Sequence, residues 1–157
     1  MAVNLKDVPV IGVIGRGEPD ARLEELAEEV GMWIAHRGAV LVNGGLDGVM
    51  KASARGCKRK GGLTIGFLPS TSRRDANPYI DIAIPTGMGD MRNILIVRAS
   101  HGLIAVGGGY GTLSEIAIAL KNGKPVVGLD TWDLPDITKA RDPEEAVDVI
   151  LKTIKDA

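Results

Sequence analysis

Cysteine is all but missing. Cys57 stands alone in 157 residues, so no disulfide can form within the chain, and a reducing, cytoplasmic setting is expected. Aromatic residues make up only 3%, too few for the successive stacking surfaces that hold single-stranded nucleic acid. Neither sign of charge dominates: 19 Lys and Arg face 20 Asp and Glu for a net −1, which speaks against nucleic acid or an anionic membrane as a partner. No apolar run approaches the roughly 20 residues needed to cross a bilayer, and the start, MAVNLKDVPV, lacks the basic segment and apolar core of a secretory signal. The two histidines, His36 and His101, lie far from each other and from Cys57, so no metal set is expected. A GxxxxGK(S/T) phosphate loop is absent, and so is the three-glycine dinucleotide fingerprint, both at Gly15 and at Gly107.

What the chain does have is apolar material, 45% of its residues, and 21 glycines. The first supplies the core of a single domain spanning residues 1–157. The second gathers at turns. In Ala105 to Leu120, AVGGGYGTLSEIAIAL, glycines fill the gap between a strand-like run (Leu103 to Val106) and a helix-like run (Ile116, Ala117, Ala119, Leu120). Residues without a Cβ let a ligand approach the bare backbone, and the free N–H groups of the following helix meet it with partial positive charge. Gly108, Gly109, Tyr110, Gly111 and Thr112 are therefore candidates for gripping a phosphate. A tight turn with no ligand is the plainer alternative.

The same pattern recurs along the chain. Val8 to Ile14 reads as a buried strand that ends at Gly15-Arg16-Gly17. Leu23, Leu26, Ala27, Val30, Trp33 and Ile34 trace a helix that Asp20 caps and Gly38 closes, with Trp33 in the core. Ala39 to Val42 is a second strand, followed by Asn43-Gly44-Gly45 and a helix from Asp47 as its cap to about Lys60. Leu63 to Leu68 is a third strand, the loop to Pro78 carries Arg73 and Arg74, and Tyr79 to Ile84 is a fourth strand that turns at Pro85-Thr86-Gly87. Asp90 to Ser100 has strand-like β-branched residues, but the alternation of strands and helices assigns it to a helix. Lys124 to Leu129 is a further strand. Asp142, Pro143 and the two acids after them open a last helix. Such alternation implies a doubly wound parallel sheet with helices on both faces, in which every strand-to-helix turn emerges at one carboxyl edge. Gly15, Arg16, Gly17, Gly44, Gly45, Thr86 and the Gly107 turn would share that rim and suit a phosphorylated, nucleotide-sized ligand.

Gly108-Gly109-Tyr110-Gly111-Thr112-Leu113-Ser114-Glu115 resembles the PGGxGTxxE signature of the Lonely Guy cytokinin-riboside monophosphate phosphoribohydrolases. Asn43-Gly44-Gly45-Leu46-Asp47-Gly48-Val49-Met50 is similar to the second glycine turn of that family, and Arg92 falls where the family has the arginine of its MxxRK motif. The resemblance spans about Val10 to Pro125. It implies a Rossmann-like fold, a homodimer or larger homo-oligomer, no required cofactor, and hydrolysis of a nucleoside 5′-monophosphate to base and ribose 5-phosphate. The lysine decarboxylase label attached to such proteins finds no pyridoxal-phosphate lysine pattern here. Gly107, Asn93 and Ser114 depart from the family's proline, lysine and first acid. The stretch Gly107 to Val127 looks closer to a branch that includes a molybdenum-cofactor carrier, which implies a bound molybdopterin-type ligand and no hydrolysis.

Two residues carry the candidate chemistry. Cleaving an N-glycosidic bond passes through an oxocarbenium-like sugar, which a carboxylate stabilises. By resemblance Glu115 is that group, and Arg92 holds the ribose or phosphate and assists the leaving base. Each has a plainer alternative: Thr112-x-x-Glu115 also fits a helix capping box, and Arg92 fits a solvated helix arginine. Arg98 and His101 stay open between ligand and structural roles, Asp130 is a weak ribose-binding candidate, and His36 suits a helix end.

Overall fold

A computed structural model describes residues 4–157. Its elements run β1 (Val10–Gly15), α1 (Ala21–His36), β2 (Val40–Asn43), α2 (Val49–Arg59), β3 (Thr64–Leu68), β4 (Ile82–Pro85), α3 (Asn93–Ala99), β5 (Gly102–Val106), α4 (Tyr110–Lys121), β6 (Val126–Leu129), β7 (Thr138–Lys139) and α5 (Pro143–Asp156). Short 3-10 turns lie at Leu5–Asp7, Arg73–Asp75 and Gly89–Arg92. The strands form one sheet in the order β4-β3-β2-β1-β5-β6-β7, and every pairing is parallel. This is the Rossmann-like, doubly wound α/β architecture. The chain works outward from β1 to β4 and then returns to the other flank of β1, where Ile11 pairs with Gly102 and Gly15 with Val106. A crevice opens where strand order reverses in this way, at the carboxyl ends of β1 and β5.

Each face of the sheet has its own core. Ile11 and Val13 point toward α1, α2 and α5, packing with Val30, Ile34, Ala52 and Ile150, while Ile14 points the other way toward Ile96, Val97, Ile116 and Ala119 of α3 and α4. The period of two along β1 puts its successive side chains on opposite faces. Both faces are covered, so the central strands read as unbroken apolar runs. No helix of the described residues is long and apolar enough to cross a membrane.

Caps fix several of the boundaries. Asp20 accepts from the Leu23 amide at 3.1 Å and Asp142 from the Glu145 amide at 2.8 Å, with Pro143 in the first turn of α5, as their patterns predict. The start of α2 differs. Its cap is Gly48, not Asp47, at φ +62°, and a Cβ there would stand 2.3 Å from the Arg16 carbonyl oxygen. The β1 loop passes so close that no side chain fits. Trp33 sits at the margin of the core: it packs against the α1–α2 cluster but is only half-buried, with the Arg37 guanidinium 4.9 Å from its ring centroid and His36 edge-on.

The α1 and α2 backbones touch at two glycines. A Cβ on Gly31 would lie 1.9 Å from the Ser53 carbonyl oxygen of α2, and one on Gly56 would lie 1.9 Å from the Glu28 carbonyl oxygen of α1. At the far end of α3, Lys124 replaces the missing helical donors. Its ammonium donates to the carbonyls of Val97 (2.7 Å), Arg98 (3.0 Å) and Ser100 (2.6 Å). Lys124→Met keeps much of the stem but takes the donor from these carbonyls, of which, among the described residues, only Val97 keeps another, the Ser100 amide, and a loss of about 2 kcal/mol in urea unfolding is expected. An unchanged midpoint would show that water replaces the ammonium at no cost.

Candidate functional site

Among the described residues, the turn after β5 leaves a run of backbone amides without partners. Gly107 and Gly108 take φ of +59° and +118°, conformations that L side chains avoid, and a Cβ on Gly108 would also run into Thr112 at 2.4 Å. The chain then enters α4 at Gly109, which caps the helix without a side-chain bond. Among the described residues, the amides of Gly108, Gly109, Tyr110, Gly111 and Thr112 donate to no protein group. Unpaired N–H groups at the positive end of a helix form a ready anion site. Nothing lies within 4 Å of where a Cβ would stand on Gly109 or Gly111, so the approach is open.

Because Gly109 is the cap, Thr112 sits inside the first turn and the capping-box alternative for Glu115 fails. Its carboxyl makes no hydrogen bond among the described residues and is instead turned inward, 7% exposed. It lines a cleft of about 130 Å³ together with Gly15, Gly44, Arg92 and Thr112. Burial pushes the Glu115 carboxyl up to about 8, against the opposing pull of the Arg92 charge. At neutral pH the group therefore keeps its proton and can donate a hydrogen bond.

Arg92 is buried too, so the solvated-arginine alternative fails. Its Nε donates to the Phe67 carbonyl at 2.8 Å and its Nη1 to the Asn93 side-chain oxygen. Burial holds its pKa below the ordinary value, against the opposing pull of Glu115 and Asp90. Gly44 makes room for it: a Cβ there would sit 2.6 Å from Nη2. Two of the departures from the resembled motifs meet here. Asn93 Nδ2 donates to Ser114 Oγ at 3.4 Å, and Ser114 Oγ donates to the Gly111 carbonyl at 2.6 Å. A neutral pair thus stands where the motifs carry a lysine and an acid, and it ties the arginine's neighbour to the glycine turn.

The other sequence candidates divide. Gly15 and Gly44 line the cleft. Arg16 and Gly17 are exposed in the loop beside it, the Arg16 carbonyl accepting from the Val49 amide. The Gly45 amide is used by the Asn43 side chain at 2.8 Å. Thr86 stands apart, its hydroxyl donating to the Leu68 carbonyl at 2.7 Å and its amide bonding the same oxygen. The cause is topological: β4 is the edge strand, three spacings or about 14 Å from β1, so the Pro85 turn shares the rim without reaching the crevice. His101 lies at the opposite edge, where its Nδ1 accepts from the Val10 amide, and Asp130 pairs with Arg22. Sequence reading missed Asp90 and Met50, which also line the cleft. Asp90 is signalled only by its place two residues before Arg92.

A larger cavity, about 550 Å³, lies along the outer surface of α1 and the end of α2 between Glu25, Glu29, Trp33 and Lys60. No glycine turn or free helix N-terminus reaches it, so the smaller cleft is the candidate. Among the described residues, no three His, Cys, Asp or Glu side chains are placed to hold a metal ion.

Known proteins are similar to this chain in sequence and fold. The chain is 40% identical to the molybdenum cofactor binding protein of Rippkaea orientalis, with a TM-score of 0.90 over 95% of this chain and 99% of that one. Against the molybdenum cofactor carrier protein of Chlamydomonas reinhardtii it is 36% identical, with a TM-score of 0.86 over 96% and 99%. It is also 37% identical over 124 residues to the cytokinin riboside 5′-monophosphate phosphoribohydrolase of Mycobacterium tuberculosis, covering 71% of this chain and 65% of that protein. A profile of the SLOG cluster4 family matches residues 8–156, and the chain belongs to that family.

Proposed function

We propose that the protein binds a phosphorylated small molecule bearing a heterocycle, of the molybdopterin type, and holds it intact, with residues 1–157 acting as one ligand-binding domain. The observation that carries this reading is the run of unpaired amides from Gly108 to Thr112 beside the buried Arg92. The amides take the phosphate, and Arg92 adds charge in a site sheltered from water, where it counts for more. Protonated Glu115 donates to an acceptor on the ligand. The neutral Asn93 and Ser114 pair, together with likeness to binding and carrier proteins along nearly the whole chain, favours retention over turnover.

Hydrolysis of a nucleoside 5′-monophosphate is the second reading. It is favoured by Glu115 and Arg92 lining one cleft and by the mycobacterial relative. An oxocarbenium-like sugar is stabilised by an ionised carboxylate, and the burial that pushes Glu115 up to about 8 favours its neutral form. Incubation with AMP and with molybdopterin-type cofactor, followed by chromatography and mass spectrometry, separates the two readings. The expected result is a raised Tm and a ligand recovered whole. Free adenine accumulating beyond one equivalent would establish the second reading, and no Tm shift with either compound would sink both.

A further inference from the structure

The cleft at Glu115 has about 130 Å³, whereas pockets that enclose a drug-sized molecule run from about 300 to 1,000 Å³. A phosphorylated heterocycle therefore cannot lie wholly inside it, and part of the ligand must rest on the lip. Outside the lining but next to its Gly111, Tyr110 opens α4. In a chain with two tryptophans, two tyrosines and one phenylalanine, one tyrosine and one tryptophan are stacked there. The Tyr110 and Trp132 rings are 6.1 Å apart at 27°.

This stack is fastened to the anion turn. Trp132 Nε1 donates to the Gly109 carbonyl at 3.1 Å, and the neighbouring Thr131 hydroxyl donates to the Gly107 carbonyl at 2.6 Å. Trp132 is thereby held as the lower layer, and Tyr110 covers it while remaining 84% exposed, with its outer ring face open. Tyr110 also contributes one of the unpaired amides. One residue thus presents an anion donor and a flat apolar face a side chain's length apart. The buried Glu115 carboxyl, without a protein partner among the described residues, is a second and separate sign that a ligand completes this rim.

The geometry points to Tyr110 as a stacking platform: the phosphate sits on the amides of Gly108 to Thr112, and the planar ring of the ligand lies on the open face of Tyr110, backed by Trp132. This rests on the reading that the amides hold an anion. Stacking tolerates changes of ring, so AMP is a fair probe of the platform and ribose 5-phosphate its ringless control. Isothermal titration of the full chain is expected to show AMP binding about tenfold tighter than ribose 5-phosphate. Tyr110→Ala should abolish that preference and Tyr110→Phe should keep it, while the affinity for ribose 5-phosphate stays the same in all three proteins. Thermal denaturation of each variant checks that it is folded. If ribose 5-phosphate does not bind the unaltered protein, the anion reading itself fails. If it binds but AMP gains nothing, or the gain survives in Tyr110→Ala, the platform is refuted and the anion site stands.

Discussion

Gly31→Ala is expected to destabilise the protein by about 3 kcal/mol, a fall in Tm of about 10 °C. Alanine in place of glycine would by itself favour a helix by about 1 kcal/mol, so the direction of the effect isolates the contact. The added methyl would stand 1.9 Å from the Ser53 carbonyl oxygen and 2.8 Å from the Cys57 amide nitrogen. Both are backbone atoms, with no rotamer to turn away, so α1 and α2 must separate along their whole crossing. Gly56→Ala meets the reciprocal obstacle at Glu28. Once either methyl has parted the helices, the second costs less, so the double variant should lose less than the sum of the single ones. Urea unfolding of the three variants measures this. A Gly31→Ala protein as stable as the parent would show that the two helices can slide apart freely.

Glu115→Gln is expected to change how stability depends on pH. The folded pKa of about 8 lies above the ordinary value of 4.5 because burial penalises the charged form. The folded protein thus binds this proton more tightly than the unfolded chain. The resulting stability is fully present below about pH 4.5 and fades as pH rises toward 8, by an amount on the order of 4 kcal/mol. Glutamine, neutral at every pH, should remove most of that slope and leave the variant more stable than the parent above about pH 8. Denaturation midpoints at several pH values read the difference directly, and parallel curves for the two proteins would show that Glu115 is not buried as a neutral acid. The same substitution keeps a donor in the cleft, so ligand binding near neutral pH should survive better in Glu115→Gln than in Glu115→Ala.

Most of the architecture was legible in the sequence because its signals are local. Apolar runs, glycine turns and caps at Asp20 and Asp142 each depend on neighbours a few residues away. Asn93–Ala99 was harder, since Ile94, Ile96 and Val97 suit a strand. The packing of Ile96 and Val97 against the sheet settles it as a helix. The pair Thr138–Lys139 forms a strand with both side chains exposed, and such a pair leaves no hydrophobic pattern to read. For the site, the glycines were visible but their steric purposes were not. Gly44 faces a guanidinium 48 positions later in the chain, and Gly31 faces a backbone on another helix. The capping-box alternative for Glu115 could not be dismissed from spacing, because it depends on whether α4 begins at Gly109 or at Thr112.

The pairing of β1 with β5 also bears on how the protein forms. β1 is made before β5, and its flank stays bare until Gly102 to Val106 have been made and found their register. Non-local parallel pairing of this kind closes late and slowly. The crevice lies on that seam, so the nascent protein acquires its candidate site only when the two halves of the sheet are joined, and a chain arrested earlier displays an open central strand.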